Sequence, residues 1–283
     1  MKMQLELVEK DASLREETNF VARAELLEWL ETYQLDLPDK DYALWQRVEK
    51  LRTELQEIDH LLFRKLRMDI RNGDCRKSAF KTRVEEYVEV EGAELGYDHL
   101  DVFINRLFSD RDMPAPTREL EPGMIEYHKT PARLVFEWVK EIGFAEDDVF
   151  FDLGCGLGQV VLLMNLLTGI PARGVEVEPA FCDYAWNSAA ELGLGDVYFS
   201  AADARSADYR TGTVFFLYTP FMGGMLEEVL GRLKKESQRR PIRIIGYGPC
   251  TEVLSRQDWL THLSSSAWNF STGKFATICF FIS

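Results

Sequence analysis

Three glycines, Gly154, Gly156 and Gly158, fall at alternating positions in the stretch VFFDLGCGLGQVV, directly after an apolar run and directly before a helix-like one. Glycine at such a strand-to-helix turn permits a tight turn and lets the backbone approach a ligand, and the following helix begins with unpaired N–H groups. A flat nucleoside can lie against that surface. Such turns also use glycine for steric reasons alone, so the neighbours decide. Glu176 ends the next strand-like run, 18 residues past Gly158, close to the interval of roughly 20 residues at which an acidic side chain meets ribose hydroxyls. Asp203 and Ala204 follow the third run, where a carboxylate can accept from an exocyclic adenine amine. Each acid has an ordinary alternative, a surface Glu at a strand end or an Asp capping a turn. Three such features at the tips of three successive strands favour a nucleoside site.

Strands and helices must alternate to place these residues. Apolar runs predict strands over 149–153, 172–176, 197–200, 213–218 and 242–246. Helices are expected over 131–140, 157–168, 179–192, 223–235 and 252–263, the first opened by Pro131 at its first position. Two runs, 267–271 and 275–281, flank Thr272-Gly273-Lys274 and read as a hairpin. The expected fold class is therefore α/β, a doubly wound, mostly parallel seven-stranded sheet ending in an antiparallel hairpin. Ligands in such sheets bind beyond the carboxyl ends of the strands.

A dinucleotide fingerprint would need a third glycine where Gln159 stands, which disfavours NAD and an oxidoreductase. The GxGxG pattern preceded by Asp152, together with the terminal hairpin, resembles class I S-adenosylmethionine-dependent methyltransferases over about 123–283. Within them, DLGCGLGQVVLLM followed by GVEVEP is most similar to the non-SET histone lysine methyltransferases. The resemblance implies Asp152 near the methionine end of the cofactor and Gly154 to Gly158 along its body, with Cys155 and Gln159 in the same loop. It further implies Glu176 at the ribose, Asp203 with Ala204 at adenine, and Tyr127 and Thr130 closing over the cofactor. Tyr127 and Thr130 equally fit a turn and a helix cap. Tyr218, Thr219, Pro220 and Phe221 stand where amine-directed members carry Asn or Asp before a Pro-Pro-Tyr-like run, so they are the expected acceptor wall. Thr219 in that position puts exocyclic base amines in doubt.

No histidine is an obvious base: His60 and His99 lie in the helical region, His262 is expected to end a helix, and His128 alone precedes the core. Cys155 reads as a small packing residue rather than a nucleophile. No Cys/His cluster has metal-ligand spacing, and five dispersed cysteines suggest reduced thiols in a cytoplasmic protein.

Residues 1–111 are patterned for helices, 112–123 hold three prolines and read as a linker, and 124–283 form the cofactor domain. Leu44, Val48, Leu51, Leu55, Ile58 and Leu62 make a short heptad seam, suited to a helical hairpin with a helix over 15–33 or, less so, to self-association. Leu37-Pro38-Asp39 would supply the turn, with Asp39 or Asp41 as the cap. Arg64 to Arg83 is a basic stretch, a solvated helix face or an acceptor-docking face. The net charge of -14 favours a protein or small-molecule acceptor over nucleic acid, and no apolar run is long enough for a membrane span. The expected activity is methyl transfer to an unidentified acceptor, a protein lysine or another amine. The alternative is a non-catalytic cofactor-binding scaffold acting through its helices.

Overall fold

Every position of Phe150–Leu153 (β1) is buried, as befits a strand covered on both faces. In the computed structural model, which describes residues 2–35, 42–91, 97–269 and 275–283, β1 is the centre of a seven-stranded sheet. Its parallel neighbours are Ala172–Glu176 (β2) and Val214–Leu217 (β4). Val197–Ala201 (β3) lies beyond β2, and Arg243–Tyr247 (β5) beyond β4. Phe275–Ile282 (β7) then runs antiparallel between β5 and Thr261–Asn269 (β6), giving the order β3-β2-β1-β4-β5-β7-β6. The order reverses between β1 and β4, which opens a crevice at their carboxyl ends.

Helices cover both faces. Ala132–Ile142 (α6), Gln159–Thr168 (α7) and Pro179–Leu192 (α8) pack on one, and Gly223–Ser237 (α9) and Cys250–Ser255 (α10) on the other. Pro131 precedes α6 as its cap residue instead of occupying its first turn. The helix expected over 252–263 stops at Ser255, and His262 belongs to β6, its ring against Phe281 at 5.3 Å. β6 is an edge strand whose first residues are polar and exposed, so its stability comes from the ladder with β7 and not from an apolar pattern. The hairpin tip, Thr272-Gly273-Lys274, lies outside the described residues.

Before the sheet come Lys2–Lys10 (α1), Phe20–Leu35 (α2), Tyr42–Asn72 (α3), Ser78–Glu85 (α4) and His99–Phe108 (α5). The helix expected from residue 15 starts at Phe20, because Ala12–Arg15 forms a separate 3-10 turn capped by Asp11. The seam of α3 buries Leu44, Val48, Leu51, Leu55 and Leu62 with Ile58 half-buried, and it packs on α2 within the chain. The turn at Leu37-Pro38-Asp39 and the candidate caps Asp39 and Asp41 lie outside the described residues.

Past the seam α3 joins the main core, where Phe20 meets Phe63 and Phe103 edge-on at 5.7 and 5.2 Å. The basic stretch is largely spent on internal contacts. Arg67 donates to the Leu107 carbonyl at 2.9 Å, Arg71 to the Glu191 carbonyl at 2.6 Å, and the Lys77 N–H to the Leu166 carbonyl at 2.6 Å. Arg71 thus places a cation at the end of α8, where helix carbonyls lack intrahelical partners.

Asp59 is buried and accepts from the fully buried Arg23 at 2.7 Å and from Arg106 at 2.6 Å. Asp59→Ala leaves Arg23 charged and uncompensated, so denaturant unfolding should show a loss of about 3–5 kcal/mol. A loss below about 1 kcal/mol would mean the pair carries no net stability.

Candidate active site

The carboxyl ends of the central strands open into a cavity of about 480 Å³. Tyr127, Thr130, Asp152, Gly154, Cys155, Gln159, Glu176, Asp203, Ala204, Tyr218, Thr219, Pro220 and Phe221 all face it. Gly156 and Gly158 are not among its walls; they shape the loop. Gly156 has φ +51, and a Cβ there would lie 2.1 Å from the Tyr127 ring. Gly154 has φ +82, and its Cβ would lie 2.4 Å from that of Pro220. The loop is therefore clamped between the segment before α6 and the turn after β4, at distances only glycine allows.

Glu176, at the end of β2, orders the loop from below. One of its oxygens accepts the Gly156 N–H at 2.8 Å and the other the Glu178 N–H at 2.9 Å. Each oxygen keeps further acceptor capacity, which suits a pair of vicinal hydroxyls. Burial raises the Glu176 carboxyl, opposed by those N–H bonds. Asp152 is more extreme: it is 3% exposed, and burial followed by repulsion from Glu176 raises it well above the usual carboxylate range. Beside the loop, Gln159 donates to the Thr130 carbonyl at 2.7 Å, while its side-chain oxygen is buried with no protein partner. A buried carboxylate and an orphaned amide oxygen fit a ligand group that is positively charged and rich in N–H.

Asp203 is paired with Arg205 through both carboxylate oxygens, and that contact lowers its carboxyl. Arg205 also reaches Glu121 at 2.8 Å. In the turn after β4, Thr219 has φ +41, an unusual conformation for a β-branched residue. Its hydroxyl donates to the Tyr247 carbonyl at 2.9 Å and accepts the Cys250 N–H at 3.1 Å, so it braces the turn against β5. Tyr218 packs on Tyr247, ring centroids 4.4 Å apart. Of the histidines only His128 stands in the cavity wall.

Sequence reasoning missed the strap formed by 112–125. Met113, Pro116, Arg118, Leu120, Met124 and Ile125 line the cavity, together with Phe181, Met222 and Met225. The available signal was the apolar content scattered through a proline-rich connector, since a free linker has no use for it.

Residues 125–196, from the strap's end through α8, match the family described as Histone methylation protein DOT1. That match spans about a quarter of the chain, and the antiparallel β7 inserted between β5 and β6 with the glycine loop on β1 agrees with it. The chain has a class I methyltransferase-like α/β fold. No curated protein sequence matches the chain. Among solved structures it is similar to an RNA methyltransferase from Salinibacter ruber in complex with S-adenosyl-L-homocysteine, at 22% identity over 54% of this chain and 92% of that one, with a TM-score of 0.43. A SAM-dependent methyltransferase from Aquifex aeolicus is 18% identical over 54% and 93%, TM-score 0.44. Magnesium protoporphyrin IX methyltransferase from Synechocystis PCC 6803 with bound SAM is 16% identical over 53% and 76%, TM-score 0.40.

Gly156→Ala should weaken S-adenosylmethionine binding about tenfold or more, the counterpart of about 1–3 kcal/mol of loop strain. Titration calorimetry measures this, and unchanged affinity would mean the loop tolerates a Cβ. Asp152 also carries a pH signature. Its folded carboxyl holds a proton to higher pH than the unfolded one, so its stability contribution is full below the unfolded value and is lost as pH rises through the folded one. Asp152→Asn escapes that loss. Urea unfolding of the cofactor-free protein should show the variant gaining on wild type between pH 5 and pH 8, while a gap that closes with rising pH would contradict the assignment.

Proposed function

We propose that the chain is a class I S-adenosylmethionine-dependent methyltransferase that delivers its methyl group to an amine nitrogen, a protein lysine or another amine, and not to nucleic acid. The charge of the cavity carries the reading. Glu119, Glu126, Glu176 and Glu178 line it against one guanidinium, Arg118, while burial favours a neutral Asp152 and Asp203 is paired with Arg205, in a chain of net charge -14. Such a field draws in a cation and repels a phosphate backbone.

In this proposal Asp152 and the Gln159 side-chain oxygen hold the cationic methionine end of the cofactor, and Glu176 holds the ribose hydroxyls. Asp203, with Ala204, takes the adenine amine, and Tyr127 and Thr130 cover the loop that contains Cys155. S-adenosylmethionine supplies an electrophilic methyl on a sulfonium. The residues must then align the acceptor for in-line attack, which alone is worth about 7–11 kcal/mol. Tyr218, Pro220 and Phe221 offer an apolar wall with backbone carbonyls, and Thr219 fixes their turn. Burial against that wall disfavours the charged amine, so the acceptor would release its proton to solvent before attack. Burial also raises the Tyr218 hydroxyl, which makes it a neutral donor and not a base.

The helices of 1–111 would then be the cover of a catalytic part, 124–283. All five cysteines are free and buried, which supports a cytoplasmic, reducing setting. Among the described residues no helix is long and apolar enough to cross a membrane.

A non-catalytic scaffold is the second reading, favoured by one observation: the Thr219 hydroxyl is committed to β5 and offers nothing to an acceptor. Titration with S-adenosylmethionine and NAD should give binding of the first alone. Asp152→Ala and Glu176→Ala should each weaken it about tenfold, as loss of a charged hydrogen-bond partner implies. Radiolabelled methyl transfer into a cell extract should yield product destroyed by protease or of small mass. Ribonuclease-sensitive label would overturn the amine acceptor, and cofactor binding without any label would favour the scaffold.

A further inference from the structure

One carboxylate holds the middle of the strap to the sheet. Glu178 is 5% exposed and accepts the Thr117 N–H at 2.8 Å, the Thr117 hydroxyl at 2.6 Å and the Arg118 N–H at 2.8 Å. The Arg118 side chain adds a bond to the Val177 carbonyl at 3.2 Å. Burial would push the Glu178 carboxyl up, yet the converging donors from Thr117, Ala180 and Arg118 hold it at about 2.

The same residue reaches the cofactor loop without facing it directly. Its own N–H donates to Glu176, whose other oxygen holds Gly156. Thr117, Glu178, Glu176 and Gly156 thus form one unbroken run of contacts from strap to loop. The strap lines the cavity beside the ends of β2 and β3, where the proposed adenosine half lies, and Met113 and Leu120 stand at its rim, 62% and 56% exposed.

We propose that Glu178 is a positioning residue for the cofactor: it seats the strap over the adenosine half of the cavity and ties that seating to the ribose acid and the glycine loop. This rests on reading the cavity as the S-adenosylmethionine site. Glu178 also caps α8 through the Ala180 N–H at 3.0 Å, so a substitution must separate the two roles. Serine can still cap a helix but cannot span to the strap.

Glu178→Ser should bind S-adenosylmethionine about tenfold more weakly in calorimetry. In labelled transfer the KM for S-adenosylmethionine should rise with it, while the rate at saturating cofactor stays within about twofold of wild type, the pattern of lost uniform binding. Cofactor should slow tryptic cleavage after Arg118 in wild type and no longer do so in the variant. Equal affinity and equal protection in both proteins would overturn the proposal. Should Glu178→Ser fail to fold, Thr117→Val decides alone: about threefold weaker binding supports the clamp, and unchanged binding overturns it. Failure of the underlying reading has a different mark, namely wild type that does not bind S-adenosylmethionine at all.

Discussion

A carboxylate at the end of β2, pinned by two backbone N–H groups, is the constraint on which the cavity depends. Glu176 is nearly buried, and charge in such a place is tolerated only when hydrogen-bonded. The bond to Gly156 fixes where the loop can run, the loop then requires glycine against Tyr127 and Pro220, and both of those residues line the cavity. Asp152, close enough to feel Glu176, inherits an unfavourable environment as a result. Carboxyls perturbed in this way concentrate at ligand sites.

The helices ahead of the sheet serve that arrangement mechanically. α7 follows the loop directly and is buried from Gln159 through Leu167, so it needs apolar neighbours on every side. The sheet supplies one side, and α4 and α6 supply others. Arg71 and the Lys77 N–H close the far ends of α8 and α7, so the loop's helix is gripped at both termini.

Much of this was readable in the amino-acid order because buried parallel strands and their glycine turns have strong local signatures. The run 172–176 and the helix 179–192 fell where the apolar pattern put them. The hairpin was expected, but the first residues of β6, from Thr261, escaped because an edge strand rich in serine takes its stability from its ladder with β7. The strap escaped for a related reason: three prolines describe a local conformation, whereas its role comes from Glu178 and Pro220, distant residues that accept its N–H groups. The basic stretch does lie at the surface, with Arg64, Lys65, Arg71 and Lys77 exposed, but single-sequence reading cannot see the carbonyls that Arg67 and Arg71 meet there.

The two halves of α3 belong to different cores. Leu44 to Leu55 sit with α1 and α2 in a small cluster of their own, while Leu62 to Ile70 are continuous with the sheet's central core. Cooperativity should divide in the same place. The outer end of the hairpin can open and close as a local unit without disturbing β1, whereas the inner end can only come undone together with the sheet. A single rigid helix thus spans two levels of protection against hydrogen exchange, and the boundary between them falls near Asp59, where the chain places its buried ion pair.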